Sequence, residues 1–118
     1  MTVTRRIKSD GFYIPHTPVA AVVAGTPVVI GDMVTIPDVD LVAGALGEVT
    51  THGVFAFPKS TNSGSAIAVG VKVYWDAGDG ADGEVKIDAE AGANKQAGYT
   101  INAAADDDAT VNVLLIQA

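Results

Sequence analysis

The sequence predicts an all-β protein with little or no helix, folded as a small compact β-barrel. Three observations carry that expectation. Short runs alternate apolar and polar residues with period two and are rich in valine, isoleucine, threonine and aromatics. Clusters of Gly, Pro, Asn and Asp punctuate them at intervals of roughly 8–12 residues, the spacing of small sandwiches and barrels. The chain is 48% hydrophobic but only 6% aromatic, so its apolar content is mainly valine and alanine placed in alternation.

Taken in order, the runs are "AVVAG", "PVVIG", "MVTIP", "GVFAFP", "AIAVG", "KVYWD", "EVKID" and "TVNVLLIQ". Between them lie Gly25-Thr26-Pro27, Pro37-Asp38, Asn62-Ser63-Gly64 and the stretch Gly78 to Gly83. Residues 88–109 are richer in alanine and have room for a helical turn, although Gly92, Asn94 and Gly98 argue against a long helix. The phrase "VVIGDMVTIPD" (28–38) has an echo in "IAVGVKVYWDA" (67–77), with Gly31 over Gly70 and Val34 over Val73. In both copies glycine falls where a strand must bend, so the pair reads as two bends of one curling sheet. Phe55 and Phe57 share parity and point to one face, read as core. Pro58-Lys59 then reads as an exposed corner.

Charge divides the chain unequally. Of seven cations, Arg5, Arg6 and Lys8 lie in the first eight residues, and the other four face 14 carboxylates, for a net charge of −7. Residues 1–12 therefore read as a basic arm and residues 13–118 as a single β-barrel domain. The acidic body repels a phosphate backbone, so no nucleic-acid partner is expected. No apolar run approaches the ~20 residues of a membrane-spanning helix, and no membrane partner is expected. With no cysteine, disulfides and thiol chemistry are excluded. The N-terminus lacks the apolar stretch of a secretory signal, which reads as an intracellular product.

The search for chemistry returns little, and neither an enzyme nor a cofactor is expected. "GDGADG" (78–83) matches the letters of a dinucleotide fingerprint, but a strand pattern follows it where the fingerprint needs a helix N-terminus. Asp76, Asp79 and Asp82, with Glu84 beside them, form a weak candidate for a hard cation, although their spacing is not that of an EF-hand. Asp106 to Asp108 read as a solvated loop. His16 and His52 sit beside turn residues, and no serine falls in a nucleophile elbow.

The ordered set "GTPVVIGDMVTI", "GEVTTHGVFAFPK" and "IAVGVKVYWD", closing on an alanine-rich stretch and a Val-Leu strand, resembles the small cement or decoration proteins of tailed bacteriophage capsids, a family often mislabelled recombinase-like. The resemblance runs from about Gly25 to Leu115. Its most specific pieces are Gly31-Asp32, Gly53-Val54-Phe55 with Pro58-Lys59, and Val73-Tyr74-Trp75-Asp76; Ala97-Gly98-Tyr99 is a looser match. It implies a β-tulip-like or SH3-like barrel, homotrimeric, made in the host cytoplasm. On the virion it would bind the major capsid protein on the outer surface of the head and stabilise the expanded shell. The basic arm (Arg5, Arg6, Lys8) and the turn carrying Ile14, Pro15 and His16 are the expected capsid contacts. A second reading stays open, a host- or glycan-binding virion accessory on a similar barrel, using exposed aromatics such as Tyr13 or Tyr99.

Overall fold

The computed structural model describes residues 12–77, 83–87 and 94–116. Among these residues there is no helix, and nine strands account for the regular structure. Strand β1 (Tyr13–His16) pairs antiparallel with β4 (Gly47–Thr50). Strands β2 (Val28–Ile30) and β3 (Met33–Thr35) form a hairpin, and β5 (Gly53–Pro58), β6 (Lys72–Asp76), β7 (Glu84–Lys86), β8 (Lys95–Thr100) and β9 (Thr110–Leu115) form a sheet in the order β5-β9-β8-β6-β7. All of its ladders are antiparallel. Its two edge strands, β5 and β7, approach each other, so the sheet curls as a barrel does, but no ladder joins them. The all-β expectation holds, and the curl stops short of hydrogen-bonded closure among the described residues.

Alternation builds the core. In β9 the residues are alternately exposed and buried, which sends Val111, Val113 and Leu115 inward and Thr110, Asn112 and Leu114 outward. The inward set meets Phe57 of β5, Val73 and Trp75 of β6, Val85 of β7 and Ala97 of β8, and the β2–β3 hairpin closes over it with Val34 and Ile36. Phe57 and Trp75 meet edge to face, 6.0 Å between ring centres at 61°. Phe55 packs at the margin of this cluster, partly buried.

Several expectations need correction. The segment given room for a helical turn contains β8, an interior strand of the main sheet. Its glycine supplies the reason: a Cβ at Gly98 would strike the Leu114 carbonyl oxygen, so β8 and β9 can lie this close only without a side chain there. Next to it the β6–β8 register slips between Val73 and Tyr74, a β-bulge that adds local twist. Strands β1 and β4 were not legible in the alternation. "AVVAG" and "AIAVG" make one bridge each (Val22 to Leu41, Ile67 to Ala104) rather than ladders.

The doubled phrase also resolves differently from its sequence alignment. Gly31 and Gly70 both have positive φ, +60° and +77°, as a sharp bend requires. Gly31, however, opens the tight turn of the β2–β3 hairpin, whereas Gly70 belongs to another motif that recurs in the fold. In that motif a bridging residue is followed, three positions on, by a turn glycine whose N–H reaches the carbonyl four residues before its bridge partner. Val22 bridges Leu41, while Gly25 N donates to Pro37 O and Gly44 N to Pro18 O, both at 2.8 Å. Ile67 bridges Ala104, and Gly70 N donates to Thr100 O, also at 2.8 Å. The structural echo is Gly25, Gly44 and Gly70, not Gly31 and Gly70.

Candidate functional site

The sequence placed Pro58-Lys59 at an exposed corner, and the structure buries Lys59, leaving it 5% accessible. The Lys59 backbone N–H extends the β5–β9 ladder by donating to Ala109 O (2.9 Å), which sends the side chain under the neighbouring loops. There the ammonium donates to the carbonyls of Ser60 (2.6 Å), Ala105 (2.9 Å), Asp108 (3.0 Å) and Asp106 (3.3 Å), with the Ser65 hydroxyl at 3.4 Å. A buried cation is tolerated when its donors are all met, and loop carbonyls meet them here. The sequence shows only a lysine directly after a core strand, with one polar loop behind it and a second between β8 and β9. Polar composition alone does not reveal that both loops turn their carbonyls toward one point.

The same loops hold Asp106. Its carboxylate accepts from Ala66 N (2.8 Å), and backbone N–H groups of Gly64 and Ala66 keep its pKa below the ordinary carboxylate value. Asp108 accepts from Ala105 N at 2.8 Å. The "DDD" run is the solvated loop the sequence suggested, with Asp107 and Asp108 exposed, and it is folded into a turn in which two of the three carboxylates bind backbone.

The predicted contact residues distribute as follows. Arg5, Arg6 and Lys8 lie outside the described residues. Ile14, Pro15 and His16 are not a turn: they belong to β1, opposite Val49, Glu48 and Gly47, with Pro15 exposed and its two neighbours half-buried. Of the candidate cation ligands, Asp79 and Asp82 lie outside the described residues, and Asp76 forms an ion pair with Lys86 of β7 at 3.5 Å. Gly83, the last glycine of "GDGADG", packs where a Cβ would come within 2.5 Å of the Trp75 ring, which gives that glycine a packing reason. Gly31-Asp32 has one as well: Asp32 meets Lys95 of β8 at 2.9 Å, tying the hairpin tip to the main sheet, and this hydrogen bond lowers the Asp32 pKa. Tyr13 and Tyr99 are both exposed but sit on different sheets.

Two surfaces went unread in the sequence. The outer face of the main sheet carries a row in register, Val54 opposite Leu114 and Leu114 opposite Tyr99, which are 57%, 38% and 37% exposed. Strands β5, β8 and β9 contain no aspartate or glutamate, so this face is free of the negative charge spread over the rest of the chain. Beside β5 runs a groove of about 380 Å³ lined by Ala24, Gly25, Pro27, Ile36, Pro37, Asp38 and β5 itself from Phe55 to Pro58. This groove and the apolar face are two surfaces that the small all-β domain offers to a partner-sized contact.

The chain belongs to the phage cement protein family, whose model matches residues 8–115. No curated protein and no solved structure matches it. The match takes in every described residue except Ile116. Members are structural proteins of the phage capsid, and this chain has a structural capsid cement role on the virion.

Proposed function

We propose that the chain is made in the host cytoplasm and added as a homotrimer to the outside of the expanded head, where it binds the major capsid protein and holds neighbouring subunits together. The family match carries the capsid role. The finer reading is supported by the division of charge. A basic arm on an acidic body suits an acidic strip of the shell, and that attraction weakens with salt. Arg5, Arg6 and Lys8, with Ile14, Pro15 and His16 of β1, are the proposed shell contacts. The carboxylate-free face of β5, β9 and β8 suits contact between copies, because like-charged chains can approach most closely where neither carries its charge. Binding to the expanded lattice alone then stabilises that lattice by mass action. The chemistry asked of the chain is adhesion, and no residue is assigned a catalytic step.

Co-sedimentation with capsids lacking the protein, expanded and unexpanded, at low and high salt, tests the reading. Saturable binding to the expanded form, weakened by salt and by removal of residues 1–9, is the expected result. Equal binding to both forms would remove the expansion-specific role. Binding indifferent to the arm would move the shell contact elsewhere on the molecule.

A further inference from the structure

Strand β5 is an edge of the main sheet, and the direction of each of its backbone groups follows from the ladders. Lys59 N bonds Ala109 O, so in the antiparallel register the odd-numbered residues Gly53, Phe55 and Phe57 also face β9. The far side of β9 agrees, since Ile101 N reaches Asn112 O and Ile116 N reaches Ala97 O, which turns the even-numbered residues of β9 toward β8. The N–H groups of Val54 and Ala56, and the carbonyls of Val54, Ala56 and Pro58, therefore point away from β9, on the side where β7 approaches without forming a ladder. Among the described residues none of these groups has a backbone partner. The apolar groove walled by Pro27, Ile36 and Pro37 opens along this edge, and Asp38 lines it. No lysine or arginine lines it.

We infer that this edge is a strand-addition site: an extended segment of the capsid subunit pairs with Val54 to Pro58, sets apolar side chains in the groove and brings a lysine or arginine toward Asp38. The inference rests on the cement reading above. The edge supplies two donors and three acceptors in β geometry, so the occupant is extended rather than helical. The walls are apolar, and the one charge lining them is a carboxylate, so the occupant is apolar with a cation. The β5 of a second copy fits less well, because Gly53–Pro58 brings no cation to Asp38. In the register centred on Ala56, Pro58 would also face the Val54 carbonyl of the partner, and proline has no N–H to give. The same pairing would bring two chains of net charge −7 together at their Asp38 rims.

Hydrogen exchange of the full-length protein, free and bound to expanded capsids that lack it, reads the edge directly. The Val54 and Ala56 amides are expected to exchange fast in the free protein and to slow about tenfold or more on the shell, while Phe55 and Phe57 are protected in both. Ala56→Pro removes one free donor at a position with the same parity as Pro58. It is expected to weaken shell binding about five- to tenfold without lowering the melting temperature. Asp38→Asn keeps the acceptor for Thr50 but removes the charge, and should weaken binding and flatten its salt dependence. If the wild type binds shells while Val54 and Ala56 exchange unchanged, the site is overturned and the cement role stands. Slow exchange of both amides in the free protein would place the chain's own arm or a second copy in the groove, and would overturn it equally. Failure of the wild type to bind any capsid would sink the cement reading and this site together. Should Ala56→Pro misfold, the wild-type exchange pattern still decides.

Discussion

The fold crosses its own chain twice by the same device, and the two crossings are held differently. At the first, Val22 meets Leu41, and both turns contain a glycine, Gly25 and Gly44, each sending its N–H back across the crossing. At the second, Ile67 meets Ala104. Gly70 does the same for one turn, but the other has Asp107 where the pattern expects glycine. That turn is stapled from beneath instead, by the Lys59 ammonium gathering the carbonyls of Ala105, Asp106 and Asp108. The Asp106 carboxylate adds a bond back to Ala66. Both crossings have a carboxylate bonded to the opposite backbone, Asp40 to Ala24 N at the first, but only the second also depends on a lysine delivered from 46 to 49 residues away. The second crossing sits over the main core through Ile67 and Ala104, which locates the more elaborate closure where more of the fold depends on it.

Removing the staple gives the largest expected effect. Lys59→Met keeps the apolar stem and strips four carbonyls of their common donor. Water at the loop surface replaces part of that loss, so a cost of roughly 2–4 kcal/mol is expected in chemical denaturation. Hydrogen exchange should quicken first in residues 60–66 and 104–109 and leave the Val22–Leu41 crossing unchanged. A loss below about 0.5 kcal/mol would show that the ammonium follows the loops rather than shaping them.

How much of this was legible follows from what each feature requires. The core alternation of β9, β6 and β5 was, because a strand with one wet face has to write its burial with period two. Val34, Val73, Trp75 and Phe57 all lie where that period puts them, while Phe55, read as core with them, is only partly buried. Strand β8 was not, because "KQAGYT" spends its interior on Ala97 and Gly98, small residues chosen for close approach to β9, and small residues weaken the periodic signal. The bridging motif was half visible. Glycines were read as bends, but which glycines are equivalent depends on hydrogen bonds that cross the fold. The Lys59 cage was hidden for a similar reason, since its acceptors are backbone carbonyls and any sequence has those. The binding edge of β5 has no signature of its own. It exists because the sheet stops there, and only Pro58, a residue that edges tolerate, hints at it.

A smaller effect is expected at the turn glycines, and it tests whether the crossings are equivalent. Open space surrounds Gly44 and Gly70, so alanine at either meets no atom and suffers only the left-handed backbone, φ +75° and +77°. Each should lose about 1–2 kcal/mol, by similar amounts in melting experiments. Similar values support one motif used at both crossings. A much larger loss at Gly70 would mean that the second crossing has no reserve beyond its glycine and its lysine.

The smallest effect is electrostatic and belongs to the second crossing. The Asp106 pKa lies below its ordinary 3.8 because the Gly64 and Ala66 N–H groups bond the ionised form. A carboxylate with a depressed folded pKa adds stability that is present above the unfolded value and is lost as pH falls below it, through the folded pKa. The carboxylate is exposed, so water and salt hold its share to a local one. In an NMR titration the Ala66 amide should therefore shift with a midpoint below 3.8, and the 62–66 loop should loosen only at more acid pH. Asp106→Asn keeps an oxygen for Ala66 and removes the titration, leaving the loop insensitive across the same range. A wild-type midpoint at or above 3.8 would mean that the carboxylate is not held by the backbone, and the second crossing would then rest on Lys59 and Gly70 alone.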